Sequence, residues 1–277
     1  MSPDRLPVVA VVEATGRQAR LTAVLSSVFA AAGLQLNPRS QRELVAEVTV
    51  DQSSALGPVV EPDRPLLWLI PADPGRPGSQ HDRFLVAETY AAARSIALLS
   101  RSPVLNRPTE RSPCGALPGG AALAVRSARS TLDGSATVRA ERFTDTAPSD
   151  AGRPEVFDYG TGRSSFGGEP GSVGPYRHRP SVAGARTERV RVIGDRTVAP
   201  PPVSPGVRAS SRGVAARFGL DLATVWWLTG PDDGQRTLAR IDGWHWDTSF
   251  SDDMERVCAA LARWILDRLS ACAGTCG

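Results

Sequence analysis

The stretch ERVRVIGDRTVA, residues 188–199, decides how the last third of this chain folds. Val190 and Val192 alternate with Arg189 and Arg191, the period of a strand with one buried face, and Gly194-Asp195 supplies the residue types of a tight hairpin turn. Downstream, SRGVAARFGL (211–220) reads as a helix stopped at Gly219. LATVWWLTGPDDGQRTLARIDGW (222–244) reads as a second hairpin turning at PDDG. DDMERVCAALARWILDRLSA (252–271) is a closing helix, with Asp252 and Glu255 as a capping box and Met254, Val257, Leu261, Trp264, Ile265 and Leu269 on its inward face.

Upstream, PVVAVV (7–12) and PLLWLI (65–70) are unbroken apolar runs, as strands buried on both faces require. Between and after them come RQARLTAVLSSVFAAAG (17–33) and DRFLVAETYAAARSIALLSR (82–101), both helical in period, the second with Asp82 as its N-cap. RELVAEVTV (42–50) reads as an edge strand, and PVLNRP (103–108) closes a small parallel α/β unit. The middle is poorer in signal. A short helix is expected in 119–132, a strand over SATVRAERF (135–143), and a mobile glycine-rich loop over YGTGRSSFGGEPGSVG (159–174).

Composition excludes several functions. The chain has 277 residues, 41% hydrophobic and 22% charged, enough for a real core. A net charge of +3 without a run of arginines gives no footprint for nucleic acid. No apolar run approaches the roughly 20 residues that span a bilayer. LPVVAVV is followed at once by Glu13, so it is a strand rather than a signal peptide, and a soluble, cytoplasmic protein is expected. All 32 basic residues are arginine. No Schiff-base lysine, phosphate-loop lysine or amine base exists in the sequence. Cys272 and Cys276 read as a frayed tail rather than the start of a zinc site. Cys114 has no paired histidine, His245 no identifiable acid, and no Gly-x-Ser-x-Gly elbow is present.

The order of ERVRVIGDRTVA, a helix ending ARFGLDLATV, and a hairpin whose second strand is TLARIDGW resembles the end of ATP-grasp enzymes, in particular the glutamate ligases that modify ribosomal protein. PVLNRP resembles the last strand of that family's leading domain. The resemblance implies an N-terminal parallel α/β domain (1–110), then a central α+β subdomain with the glycine-rich loop (111–180) and a C-terminal α+β subdomain (181–277). It implies an ATP-dependent ligase that forms amides through an acyl phosphate, with ATP and Mg²⁺ as cofactors. A small molecule or peptide would be the substrate, in natural-product or peptide modification. The composition is that of high-GC coding, as in actinobacteria. A partner biosynthetic protein and a homodimer are compatible with it; nucleic acid and membrane are not expected partners.

Residue by residue, the resemblance assigns Arg189, five positions before Gly194, to the transferring phosphoryl group, with Arg191 on the same side of the strand. Gly160, Gly162, Arg163, Gly167 and Gly168 would close over the nucleotide. The metal ligands transfer badly. An acid of the family falls on Trp226, and the final strand's Glu and Asn fall on Arg240 and Asp242. Asp242 is therefore either the remaining metal ligand or one half of an ion pair with an arginine. Trp226, Trp227, Trp244 and Trp246 are either a core stripe or a stacking surface. The same departures are compatible with a binding or scaffold subunit that works beside a partner protein.

Overall fold

The computed structural model describes residues 5–11, 16–53, 55, 57–69, 80–112, 114–117, 125, 128–132, 136–138, 141–146, 155–158, 163–166, 174–179, 184–200, 203–231, 236–243 and 253–274. Contacts divide the chain into two units. Unit 1 comprises 1–117, 190–224 and 242–277; unit 2 comprises 118–189 and 225–241.

Unit 1 is built on a parallel sheet of β1 (Leu6–Val11), β2 (Leu34–Arg39), β5 (Leu66–Trp68) and β6 (Val104–Leu105), in the order β2-β1-β5-β6. The apolar runs are continuous because both faces are covered. Val8, Ala10, Leu67, Leu69 and Leu105 pack with Leu21, Leu25 and Phe29 of α1 (Gly16–Ala31). Val257, Leu261, Trp264 and Ile265 of the closing helix α5 (Met254–Gly274) join that core. Val9, Val11, Leu66, Trp68 and Val104 point the other way, onto Leu44 of α2 (Gln41–Glu47) and Ala93, Ile96 and Ala97 of α3 (Gln80–Leu99).

The edge strand expected over 42–50 is instead α2 followed by the short β3 (Thr49–Asp51), which pairs with β4 (Val59–Glu61). The cause is local. Ser40 and Glu43 form a reciprocal capping box, each side chain bonding the other's backbone N–H, and this starts a helix just where the β-branched residues looked like a strand. Asp82 lies inside the first turn of α3 rather than at its cap.

The segment after β6 explains why LNRP stands where it does. Leu105 is fully buried core. Asn106 has φ 52°, a left-handed conformation that asparagine tolerates better than other non-glycine residues. Its fully buried amide accepts from Leu222 N–H (2.8 Å) and donates to the carbonyls of Leu222 (2.8 Å) and Gly243 (2.5 Å). Arg107 donates to the carbonyls of Ala97, Leu98, Ser100 and Ser102, closing the C-terminal end of α3.

The hairpin expected from residues 188–199 is β12 (Arg186–Ile193) and β13 (Arg196–Val198), antiparallel. With β14 (Leu222–Thr229), β15 (Arg236–Asp242) and β7 (Ala136–Val138) it forms a five-stranded sheet, β13-β12-β14-β15-β7. The helix between the hairpins, α4 (Pro205–Arg217), starts at Ser204, whose hydroxyl accepts from Val207 N–H. Gly194 has φ 56°, and a Cβ there would lie 2.7 Å from Cδ1 of Trp264, so the turn and α5 approach only because the residue is glycine.

Unit 2 contains an antiparallel sheet in the order β10-β9-β11-β8: β10 (Arg163–Phe166), β9 (Glu155–Asp158), β11 (Tyr176–Arg179) and β8 (Arg142–Thr144). Two expectations change here. The segment read as one strand over 135–143 is split between β7 and β8, which belong to different sheets. The segment read as a loop over 159–174 holds β10, since pairing with β9 gives its backbone groups partners that composition does not reveal. The short helix expected in 119–132 includes a 3-10 turn at Ala128–Thr131.

Replacing Asn106 by alanine removes three buried hydrogen bonds and leaves main-chain groups of Leu222 and Gly243 without these partners. A loss of about 2–4 kcal/mol is expected in urea unfolding, while an exposed control such as Ser53→Ala stays within about 0.5 kcal/mol.

Candidate functional site

In unit 1 the residue of interest is Asp242, the last residue of β15 and half-buried. Gly243, next to it, is held by Asn106. A Cβ on Gly243 would collide with Sγ of Cys114, so this strand end is packed to the limit of glycine. Cys114 is buried, and its thiol is pushed far up, first by burial and then by the negative charge of Asp242. It is a packing residue that stays protonated, not a nucleophile.

Arg191 is also in unit 1. It is fully buried in β12 and lies 3.3 Å from the carboxylate of Asp253, the residue before α5. Asp253 also pairs with Arg256 at 3.2 Å. Arg191 thus ties the start of the closing helix to the hairpin strand. A cleft of about 630 Å³ lies elsewhere in unit 1, lined by Asp195, Arg212, Asp221, Trp264, Asp267 and Arg268 among others. Three of its charged groups are engaged across its walls: Asp221 accepts from Trp264 and Arg268, and Asp267 pairs with Arg196.

In unit 2, Arg189 is a half-buried residue of β12. Arg163 begins β10; its side chain, with Gly160, Gly162, Gly167 and Gly168, lies outside the described residues. Trp227 is fully buried, which makes it core. Trp226 is different. The guanidinium carbon of the exposed Arg240 lies 5.0 Å from the centre of its ring. Trp244, Trp246 and His245 lie outside the described residues.

Trp226 and Arg240 each depart from the pattern of the resemblance, but their spacing in the sequence carries no sign of this contact. The two positions where the resemblance expects carboxylates are neighbours, and together they make a cation–π pair. Two further acids of unit 2 are engaged by other arginines. Glu188 is paired with Arg186 at 2.6 Å, and Glu141 forms a buried ion pair with Arg179. Among the described residues, no group of three or more His, Cys, Asp or Glu side chains gathers to hold a metal ion. Of the three positions where the resemblance expects oxygen ligands, only Asp242 offers a carboxylate, beside a cation and an indole, so Mg²⁺, which requires several oxygen ligands, fits these side chains poorly.

No protein-family model matches the sequence, and no curated protein does. Solved structures do match. The macrocyclase MdnC of Microcystis aeruginosa MRC, bound to the precursor peptide MdnA, superposes with a TM-score of 0.67 at 12% identity, over 95% of this chain and 99% of that one. The ATP-grasp ligase PsnB, complexed with a variant of its minimal precursor, Mg and ADP, gives 0.66 at 16% identity, over 97% and 100%. A RimK-domain ATP-grasp protein of Sphaerobacter thermophilus gives 0.52 at 16% identity, over 94% and 99%. None of the described helices is long and apolar enough to cross a membrane.

Cys258 is buried like Cys114, and its thiol is pushed up to about 12 by burial and Glu255, against an ordinary 9.0. The folded protein keeps thiol protons that the unfolded chain releases, so stability falls as pH rises from about 9 towards 12. The urea midpoint at pH 10.5 should lie below that at pH 8. Iodoacetamide at pH 8 should label the exposed Cys272 and spare Cys114 and Cys258 until urea is added.

Proposed function

From the ATP-grasp fold that this chain shares over nearly its whole length with peptide-modifying ligases, we propose that it serves a peptide-modification system as a peptide-binding protein whose own metal-dependent ligation step has been lost. A partner ligase supplies that step. The observation that carries the reading is the stack of Arg240 on Trp226, which puts groups unable to bind a metal at two positions where the resemblance expects metal ligands. The absence of any lysine points the same way, because the amine that commonly contacts nucleotide phosphates has no counterpart. Peptide as the ligand is supported by the neighbours MdnC and PsnB, both of which are bound to precursor peptides.

A second reading has its own support. Arg189 stands in β12 five residues before the Gly194 turn, where the family places a cation for the transferring phosphoryl group. On that reading the chain is itself an ATP-dependent carboxylate–amine ligase, acting in actinobacterial natural-product or peptide modification.

One experiment separates the two. The purified chain is screened against an immobilised random peptide library, and the best binder is then incubated with the chain, ATP and Mg²⁺. Peptide binding with no ADP release above the peptide-free control, and no 18-Da mass loss from the peptide, is the expected result. ADP release with a dehydrated product would establish the ligase reading instead. A library that yields no peptide binder would remove both.

A further inference from the structure

We propose that the cleft of unit 1 is a binding site for a small zwitterion, a free di- or tripeptide with both its ammonium and its carboxylate unblocked. At about 630 Å³ the cleft falls within the range of small-molecule sites, roughly 300–1,000 Å³. Its walls come from the Gly194–Asp195 turn, the C-terminal end of α4, the Gly219–Asp221 segment and α5. Leu220 and Trp264 are buried and form its inner side. Asp221 fixes that floor. Its Oδ1 accepts from Trp264 Nε1 at 3.2 Å and from Arg268 at 2.9 Å, which leaves the other carboxylate oxygen for a ligand.

The charges of the lining select the ligand. Asp195, Arg212, Asp221, Asp267 and Arg268 all border the cleft. Asp221 holds Arg268, and Asp267 holds Arg196 at 3.0 Å. Asp195 and Arg212 are exposed, and among the described residues their charges are not spent on an ion pair. The bond between them runs from Arg212 Nη1 to the main-chain carbonyl of Asp195, at 3.3 Å. A lone cation or a lone anion entering here meets one attracting and one repelling group, whereas a ligand carrying both charges satisfies each. Because α4 ends in this wall, the negative pole of its C-terminus adds to Asp195 and Asp221 in favouring the ammonium. Arg212 offers its fork to the carboxylate. A di- or tripeptide spans roughly 7–11 Å when extended, long enough to keep its two ends apart and lay an apolar side chain on Ala216, Leu220 and Trp264. The cleft shares no residue with the Arg240–Trp226 pair, so the proposal stands or falls apart from the peptide-system role above.

The test is calorimetric titration of the free peptides Ala-Leu, Ala-Phe and Ala-Ala-Leu into the intact chain, each beside its N-acetylated and its C-amidated form. Unblocked peptide should bind, and blocking either end should weaken binding about tenfold, the scale of one lost charge-assisted contact. The variants assign the ends. Arg212→Gln should lose affinity for the free peptide and become indifferent to amidation, while Asp195→Asn should become indifferent to acetylation. Ala216→Trp, which fills the cleft from an exposed helix position and alters no charge, should abolish binding. All three substitutions are at the surface, and melting temperatures within about 2 °C of the parent are expected. The proposal is overturned by an absence of binding for all three free peptides, by blocked peptides that bind as well as free ones, or by binding that survives Ala216→Trp. Free leucine binding as tightly as Ala-Leu also overturns it, since the site would then take an amino acid and not a peptide.

Discussion

One buried amide holds unit 1 in register. Asn106 leaves β6 in a left-handed turn and bonds both main-chain groups of Leu222, where β14 begins, and the carbonyl of Gly243, where β15 ends. Two segments, each more than 100 residues away in sequence, meet on this one side chain. A carboxylate of the same shape would lack the donor that two of these bonds need, and an aliphatic residue would lack all three. Gly243 is drawn so close to Cys114 that no Cβ fits, and Asp242 is the residue next to it. The position of the strand-end acid thus follows from an asparagine in the first half of the chain.

The electrostatic character of the site follows from a different exchange. In a metal-dependent ligase the strand ends are anionic and the bound cations turn the local potential positive. Here the guanidinium of Arg240 stands 5.0 Å over the ring of Trp226, where the resemblance expects carboxylates. At about 5 Å and an effective dielectric near 20, each unit of charge on an approaching cation meets roughly 3 kcal/mol of repulsion from the guanidinium. That is enough to exclude a divalent ion lacking compensating oxygens.

Much of the architecture is legible in the linear order of residues. Continuous apolar runs announced β1 and β5, and Gly194-Asp195 announced the β12–β13 hairpin. The 3.6-residue period announced α1, α3 and α5. The misreadings have two physical causes, a competing local signal and strand pairing that composition does not reveal. Over 42–50, valines suggested a strand, but the Ser40–Glu43 capping box nucleated a helix first. Over 163–166, glycines on both sides suggested a loop, but pairing with β9 made a strand. In the candidate site, Arg240 and Trp226 were recognised as departures from the family pattern, yet their contact was invisible. They are 14 residues apart, and only the pairing of β14 with β15 makes them neighbours.

The sequence by itself determined the class of fold and the chemistry that is out of reach, because periodicity follows from backbone geometry and a missing lysine is missing in any conformation. The tertiary structure decided what each polar residue does. Arg191 and Arg189 are two positions apart on one strand and look alike in the sequence, yet Arg191 is fully buried against Asp253 whereas Arg189 keeps partial access to solvent. Burial and partnership depend on which distant segments close over a side chain. That is set by how the whole chain packs, and no short stretch of it contains the answer.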